Sequence, residues 1–454
     1  MPRSTHLSAL VALGALLALA AVGCAGESET DEPGGPEEAP EEAPEEAAET
    51  TDDDADTDDD LGDGGEADAD GADDDTHADE EDAGVEETPE PVLRLVVADA
   101  DEPVVRVLDL VEEAVEAEFD VDAPAATLEA EPAGRVVAAS QPDADVVHFV
   151  DTGTFALDHG DHAHYYVTEP RLLDGALEIE RPGHTLGAAD AISVFADDDG
   201  TAHVVDVAGL VDDELATRVA ETGGSHHGSV APVGDELVAT SGPEQGQDHG
   251  LADEVRVHDD GEQVGAYECG DLHGVTADAG WAAFPCDDGI LVIEESEGEA
   301  TERRIDYPEE LGDGRLWYLR TDPGSGLVAA AAGSTLVIAD VEAGEAEAVE
   351  LPAEVAERSA IDADGHVLVL DVDGALHQID LATGDLVATS ADTVTVDEDG
   401  PRATIVGGRD RVYVPVTSEG VIHEFATNDD LRLARTIEVD GAPGTLAWAG
   451  AVAR

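Results

Sequence analysis

Short runs of Val, Ala, Leu and Ile, separated by turns rich in Asp, Gly and Pro, recur along the chain from Val92 onward. Groups of these runs end in polar or Gly- and Pro-containing stretches near residues 124, 183, 227, 273, 314, 355, 395 and 443. The intervals are 59, 44, 46, 41, 41, 40 and 48 residues. Because propeller blades of four antiparallel strands repeat about every 40 to 50 residues, this period predicts an all-β protein, a β-propeller with eight four-stranded blades.

The two ends of the repeat region complement each other. The first repeat begins at Leu93 and has three strands before Pro124, whereas the C-terminal TLAWAGA is one strand without a blade. Pairing them would close the ring and hide two strand edges, as propellers require. Seven blades remain an alternative, because residues 92–124 are weakly patterned.

The second repeat exceeds the usual interval by some fifteen residues, and the surplus includes FALDHGDHAH. Within it, His159, His162 and His164 lie close together beside Asp158 and Asp161. Imidazole nitrogen and carboxylate oxygen are ligands that zinc takes. We expect this stretch to connect the second and third strands of its blade.

Other histidines follow the repeat. His184, the pair His226 and His227, and His273 each occupy the connection between one blade's outer strand and the next blade's inner strand. Such connections end near the propeller axis on one face, and the second-to-third-strand loops open on that same face. The spacing therefore predicts that histidines distant in sequence meet at one site.

The chemistry of this group is that of a metal site. Six candidates exceed the four positions of tetrahedral zinc, so some would orient the ligands or form a second, weaker site. The candidate ligands are His162, His164, His184, His226, His227 and His273. Because imidazole must be neutral to bind zinc, we expect binding to weaken as the pH falls through about 6.5, the reference pKa of histidine. The histidines at positions 148, 203, 258, 366, 377 and 423 lie in or beside strand patterns and are interpreted as structural.

Residues 1–24 have the features of a lipoprotein signal peptide. Arg3 provides a basic start, and Leu7 to Val22 form an apolar run. The small residues before Cys24 form a cleavage site after which this cysteine would be lipidated. An ordinary secretory signal cut near Ala25 is the alternative. Both readings predict export, and the first predicts attachment to the membrane through a lipid anchor on its outer side.

Residues 25–90 are predicted to be a disordered acidic tether, and residues 91–454 the propeller domain. Residues 27–90 contain 32 Asp or Glu, no Lys or Arg, and almost no large apolar side chain. Such a segment buries too little apolar surface to offset the entropy of ordering. It serves as a spacer or as a weak cation-binding segment containing His77.

The net charge excludes some classes of partner. The whole chain carries 19 basic and 110 acidic residues, and residues 91–454 carry 18 and 78, a net charge of −60. This charge repels nucleic acid and anionic membrane surfaces. Adaptation to a salty habitat explains most of the acidity, because salt shortens the range of the self-repulsion.

Beyond Cys24 the chain has two cysteines, Cys269 and Cys286. An even pair in an exported protein is first a disulfide candidate, and both residues lie next to predicted strands. Zinc ligation by the Cys269 thiolate is the alternative.

Several of these motifs resemble, in the same order, stretches of the AztD type of bacterial periplasmic zinc metallochaperone. They are GDHAHYYV, RPGHT, HHGSVAP, CGDLHG and CDDGILVI, and the likeness is strong between residues 145 and 295. The resemblance implies a β-propeller that binds Zn²⁺ and passes it to the solute-binding protein of a zinc ABC importer. It carries metal-site roles to the six histidines given above. This chain departs from the family in two ways. Family members carry a mobile N-terminal segment with histidines, whereas the N-terminal segment here is strongly acidic and contains only His77. The predicted lipid anchor is the second difference.

The leading hypothesis is therefore a monomeric zinc carrier without enzymatic activity. The chain has no nucleophile elbow, no HExxH and no phosphate-binding loop. A zinc-dependent hydrolase is one alternative, since zinc with an open position activates water. A surface lipoprotein that serves as an interaction module, with incidental histidines, is the other.

Overall fold

A computed structural model describes residues 84–159, 162–234, 237–243, 251–356, 359–392, 394–396 and 405–450. The predicted signal peptide with Cys24, residues 25–83 of the predicted tether with His77, and Asp161 lie outside the described residues. No described helix has the length and apolar character needed to cross a membrane.

Strands account for most of the described chain. The first twelve are β1 (Glu86–Thr88), β2 (Leu93–Asp99), β3 (Val104–Asp109), β4 (Ala114–Asp120), β5 (Thr127–Ala130), β6 (Val136–Gln141), β7 (Val146–Asp151), β8 (Thr154–Asp158), β9 (Ala163–Val167), β10 (Arg171–Leu172), β11 (Leu177–Glu178) and β12 (Pro182–Ala188). The next twelve are β13 (Ala191–Ala196), β14 (Thr201–Asp206), β15 (Thr217–Glu221), β16 (Val230–Val233), β17 (Leu237–Pro243), β18 (Ala252–Asp259), β19 (Glu262–Leu272), β20 (Thr276–Asp278), β21 (Trp281–Pro285), β22 (Gly289–Ser296), β23 (Glu299–Asp306) and β24 (Arg320–Thr321).

The remaining strands are β25 (Leu327–Ala332), β26 (Thr335–Asp340), β27 (Glu345–Glu350), β28 (Ala360–Ile361), β29 (His366–Leu370), β30 (Leu376–Asp380), β31 (Leu386–Thr389), β32 (Val406–Gly408), β33 (Arg411–Val416), β34 (Val421–Ala426), β35 (Arg432–Glu438) and β36 (Pro443–Gly450). Within the described ranges the helices are short: α1 (Val207–Val211) and two 3₁₀ turns, Glu309–Leu311 and Thr417–Glu419.

These strands form repeated antiparallel sheets, which confirms the predicted propeller class. Six sheets of four consecutive strands are present in the described chain: β12–β15, β16–β19, β20–β23, β24–β27, β28–β31 and β32–β35. A seventh contains β5, β6 and β7, with both β10 and β11 on the outer edge of β7. The eighth has the order β36-β2-β3-β4, so the described residues contain the eight blades that the repeat predicts.

The C-terminal strand lies where the sequence predicted it. β36 pairs antiparallel with β2, with Trp448 opposite Leu95 and Leu446 opposite Val97. It therefore supplies the fourth strand that the first repeat lacks.

Burial explains why middle and outer strands differ in sequence. β22 reads GILVIEES, and its first five residues are buried because both faces of the sheet are covered by neighbours. β27, on an outer edge, reads EAEAVE and alternates exposed with half-buried positions. Large side chains such as Phe284 and Leu291 fill the space between sheets with no exposed surface.

The surplus in the second repeat forms an added sheet, and its predicted place was wrong. β8 and β9 pair as a hairpin, and β1 adds to β9 as a third strand. The hairpin follows β7, the third strand of its blade, and precedes the outer strands β10 and β11, rather than joining the second strand to the third. β8 begins three residues after β7 ends, and it pairs with β9 instead of joining the blade. Its sequence pattern is that of a blade strand, which is why the sequence alone misplaced it.

Residues 86–88 form β1, although the sequence assigned them to the acidic tether. Glu86, Glu87 and Thr88 pair with Val167, Tyr166 and Tyr165. The acidic composition of this segment predicted disorder, because composition does not show that the segment can pair with the edge of β9.

Candidate metal site

Three of the predicted ligands converge: His184, His227 and His273. Their ligand atoms all lie within 4.8 Å of one another, and all three residues are half-buried. Two nitrogens on one tetrahedral zinc are about 3.3 Å apart, given Zn–N bonds of about 2.0–2.1 Å. The rings would thus need to approach by roughly 1.5 Å at most to hold one ion.

The local elements explain this convergence. His184 lies in β12, the first strand of its sheet, and not in the connection before it as the sequence predicted. His227 lies in the connection between β15 and β16, and His273 in that between β19 and β20. The ring centroids of His184 are 4.5 Å from His227 and 4.7 Å from His273, and the latter two are 5.1 Å apart. Three successive blades therefore each provide one histidine, either in the first strand or in the connection that leads to it.

Hydrogen bonds orient two of the rings. Nδ1 of His227 lies 2.7 Å from Oδ2 of Asp197, and Nδ1 of His273 lies 3.3 Å from the Trp317 carbonyl oxygen. If each Nδ1–H donates to its oxygen, the ligand lone pair of each ring is on Nε2. A carboxylate behind a ligating histidine fixes its tautomer and raises its basicity.

Two glycines make room for this arrangement. A Cβ at Gly183 would lie 2.3 Å from Oδ1 of Asp197, so a side chain there would displace the carboxylate that holds His227. Gly274 has a φ of +84°, and a Cβ there would lie 2.8 Å from the Trp317 carbonyl oxygen. The backbone beside His184 and His273 thus needs glycine for close approach and for a left-handed turn.

Aromatic side chains from the next blade border the site. The ring of Tyr318 lies 4.9 Å from that of His273 and 5.9 Å from that of His184. Trp317 packs edge-on to His273 at 5.2 Å, and the Arg315 guanidinium lies 4.1 Å from the Trp317 ring centroid. Sequence reasoning missed Asp197, Trp317 and Tyr318, although Tyr318 follows His273 by about one repeat.

His226 has a different environment from its neighbour. It is 1% exposed, packs 4.7 Å from the Phe195 ring, and directs Nδ1 to the Gly224 carbonyl oxygen at 2.9 Å and Nε2 to Oγ of Ser241 at 3.0 Å. Burial lowers the pKa of His226, which keeps the ring neutral. These contacts give His226 a packing role and leave His227 as the member of the pair that meets the other ligands.

His162 and His164 belong to a separate cluster at the β8–β9 hairpin. The ring centroids of His159, His162 and His164 are 5.0 to 5.3 Å apart, and Nδ1 of His164 lies 2.7 Å from Oε1 of Glu87 on β1. Neither residue is in the His184, His227 and His273 group. The structure therefore divides the six predicted ligands into a convergent trio, a hairpin pair and the buried His226.

Histidines interpreted as structural have local partners. His148 contacts Asp122, His366 contacts Asp362, His377 contacts Asp371, His203 contacts Thr201 and His423 contacts Thr436. His258 is 3% exposed on β18, and burial lowers its pKa.

Cys269 and Cys286 form a disulfide next to the site, with a separation of 17 residues. Both residues are buried. The bond occupies the sulfur of Cys269, so the thiolate alternative does not apply to this structure.

Fold and site together define a β-propeller protein in which three successive blades bring together three histidines that could hold a metal ion. Comparison with known proteins gives a more particular likeness. The chain is 26% identical over 370 residues to the zinc chaperone AztD of Citrobacter koseri, a match that covers 79% of this chain and 86% of that protein.

Solved structures of Citrobacter koseri AztD match the fold. A crystal structure superposes with a TM-score of 0.74 at 25% identity, covering 80% of this chain and 99% of that one. The apo form matches with a TM-score of 0.73, the same identity and the same coverage. No protein-family model matches the chain.

Proposed function

We propose that this protein is a zinc metallochaperone that holds Zn²⁺ on His184, His227 and His273. The convergence of three histidine ligand atoms within 4.8 Å carries the proposal. The similarity to the zinc chaperone AztD supports zinc as the cargo.

The ligand set suits a carrier. Three neutral imidazoles bind zinc without a bound anion, and they leave one of four tetrahedral positions for an incoming ligand. The site is half-buried, so a partner can reach the ion and replace the histidines one by one. Release then requires ligand exchange and no covalent chemistry, which is why we propose a carrier rather than a hydrolase.

His162 and His164, with His159 and Glu87, provide a second, weaker zinc-binding group on the β8–β9 hairpin. Their rings are close together, and the hairpin belongs to a sheet separate from its blade. This group would capture zinc before it reaches the main site or pass it onward.

The proposed acceptor is the solute-binding protein of a zinc ABC importer. An exported zinc carrier needs an acceptor on the same side of the membrane, and such a protein is the entry point for zinc uptake. The carrier acts as a monomer, and its net charge of −60 over residues 91–454 disfavours nucleic acid as a partner.

We further propose that residues 1–24 direct export and that Cys24 carries a lipid anchor on the outer side of the cell membrane, with residues 25–90 as the tether. The Cys269–Cys286 disulfide supports export, because such bonds persist in oxidising compartments.

Zinc titration of the full chain by calorimetry tests the main site. Wild type should bind one ion tightly and a second more weakly. The His227→Asn/His273→Asn variant should lose the tight event, because one remaining imidazole cannot hold the ion. The His162→Asn/His164→Asn variant should lose only the weak event, and His423→Asn serves as the matched control.

Absence of tight binding by wild type would contradict the proposal, as would unchanged binding by the His227→Asn/His273→Asn variant. Mixing zinc-loaded protein with the solute-binding protein in the presence of a competing chelator tests direct transfer. Hydrolysis of a test ester by the zinc-loaded wild type, lost in the same variant, would favour the hydrolase instead.

A further inference from the structure

A cavity of about 310 Å³ adjoins the three-histidine group. His184 and His227 form part of its wall, so a zinc ion held by them would border this space. The volume is at the lower end of the range for small-molecule sites, about 300–1,000 Å³. The cavity thus offers room for a small molecule beside His184 and His227.

Four charged side chains also line the cavity, and they differ in how they are engaged. Asp197 is held by His227, and a Glu129 oxygen lies 3.4 Å from the Gly187 amide nitrogen. By contrast, Arg181 and Arg320 make no side-chain hydrogen bond or ion pair with any described residue. The two carboxylates are therefore committed within the protein, whereas the two guanidinium groups remain available to a ligand.

Such arginines are unusual in this chain. Ten arginine side chains of the described residues form ion pairs with Asp or Glu. Carboxylates are abundant, since residues 91–454 carry 78 acids against 18 bases. The two arginines offset the charges of Glu129 and Asp197, so a zinc ion on the histidines would make the cavity positive and suited to an anion.

We infer that this cavity binds a small dicarboxylate whose one carboxylate completes the zinc coordination and whose other is bound by Arg181 and Arg320. Guanidinium groups bind carboxylates through paired, charge-assisted hydrogen bonds. Carboxylate oxygen is an ordinary zinc ligand, and three histidines leave one position for it. The inference rests on the proposed function, because it requires the metal on the histidines.

This ligand gives the carrier a means of control. With the dicarboxylate bound, zinc has four ligands and the open position is closed to an acceptor. Its departure reopens that position. Retention and release of the ion would then depend on the concentration of the small acid.

The test uses full-length protein loaded with Co²⁺, whose visible absorption reports the number and geometry of ligands, in a buffer without carboxylates. Adding succinate to wild type should change the spectrum saturably. The Arg181→Gln/Arg320→Gln variant should need about tenfold more succinate, as expected for loss of charge-assisted hydrogen bonds. Arg409→Gln removes a third arginine without a described partner, away from the cavity, and should behave as wild type.

Three results separate the outcomes. If Co²⁺ and Zn²⁺ fail to bind before succinate is added, the proposed function itself is wrong. If the metal binds but succinate leaves the spectrum unchanged, or acts equally on the Arg181→Gln/Arg320→Gln variant, the cavity inference is wrong. Succinate binding of equal affinity in metal-free and loaded protein, measured by calorimetry, would also overturn it. Near-ultraviolet circular dichroism verifies that each variant is folded.

Discussion

Asp197 orients the imidazole ring of His227 through a hydrogen bond. Its carboxylate is buried, and Oδ2 lies 2.7 Å from Nδ1 of His227, which leaves Nε2 as the ring nitrogen that can bind a metal ion. Without that carboxylate, the His227 ring loses the hydrogen bond that fixes its orientation.

We therefore expect Asp197→Asn to weaken zinc binding about 10- to 100-fold, the usual effect of losing a carboxylate behind a metal-bound histidine. Competition with a chelator of known affinity measures this. Asp198→Asn, at the exposed neighbouring position, is the control and should bind as wild type. Equal affinities for the two variants would show that Asp197 does not act through His227.

His226 provides a pH-dependent contribution to stability. Burial lowers its pKa in the folded protein, so the unfolded chain binds more protons between the folded and the unfolded pKa. The stabilisation is complete above the unfolded value of about 6.5 and declines as the pH falls below it.

The variant His226→Asn should therefore lower the free energy of unfolding by about 1–3 kcal/mol at pH 8, through loss of buried hydrogen bonds. The difference from wild type should shrink as the pH falls below about 6.5. Urea unfolding of metal-free protein at several pH values measures it. Burial also lowers the pKa of His203 and His258, so only the difference between the two proteins isolates His226. A difference that grows with acidity would contradict this account.

At the residue scale, the sequence predicted part of the site. His184, His227 and His273 were predicted because they recur once per blade at the same connection. The repeat could not predict whether His226 or His227 joins the other ligands. Adjacent side chains point in opposite directions, and packing against Phe195 decides that His226 is the buried one. Asp197 gave no signal, because it is one of three consecutive aspartates among 110 acidic residues.

At the scale of elements, the disulfide joins β19 to the residue that follows β21. Cys269 precedes His273 by four residues in the segment that leads to the metal site. Because it closes a short loop, the bond restricts the unfolded chain, and it also holds the strand end from which His273 extends.

Replacing both cysteines (Cys269→Ala/Cys286→Ala) should lower the free energy of unfolding by about 3 kcal/mol, the value for a loop of this length. Thermal unfolding in calorimetry measures the change. Wild type treated with a reductant is the matched control and should unfold like the variant. Unchanged stability in both would show that neighbouring strands alone hold this segment.

The β8–β9 hairpin shows the limit of periodicity at this scale. Its extra length was evident from one long interval, but its attachment point was not. The outer position of that blade is filled by two short strands, β10 and β11, with two residues each. Runs this short carry too few residues for an alternating pattern to be recognised.

At the scale of the whole molecule, charge opposes compaction. Residues 91–454 carry a net charge of −60, and many of their acids lie on exposed outer strands such as β4 and β27. Repulsion among them is screened by salt, whose Debye length falls from about 10 Å at 0.1 M to about 3 Å at 1 M.

We expect the unfolding temperature of the full chain to rise as NaCl increases from 0.1 M to 1 M, because screening favours the compact state more than the expanded one. Differential scanning calorimetry measures this. KCl should act equally, since screening depends on ionic strength and not on the identity of the cation. A constant or falling unfolding temperature would contradict the charge argument, and an effect of one salt alone would indicate specific ion binding.

The overall architecture was predicted from the sequence more accurately than the site or the individual strands. Eight sheets followed from turn spacing, because each blade must return the chain to the axis after a similar length. The boundary between tether and propeller, predicted near residue 91, was less accurate. β1 has an acidic, tether-like composition, and its structure depends on pairing with β9 rather than on its own residues.

The pairing of β36 with β2 fixes the order in which the molecule can be completed. β2 is made early in synthesis, yet its neighbour on one side is residues 443–450. Until those residues are made, the first sheet is one strand short and has an unpaired edge, while more than three hundred residues follow β4. A chaperone or a rapid succession of later blades would have to shield that edge until the final strand arrives.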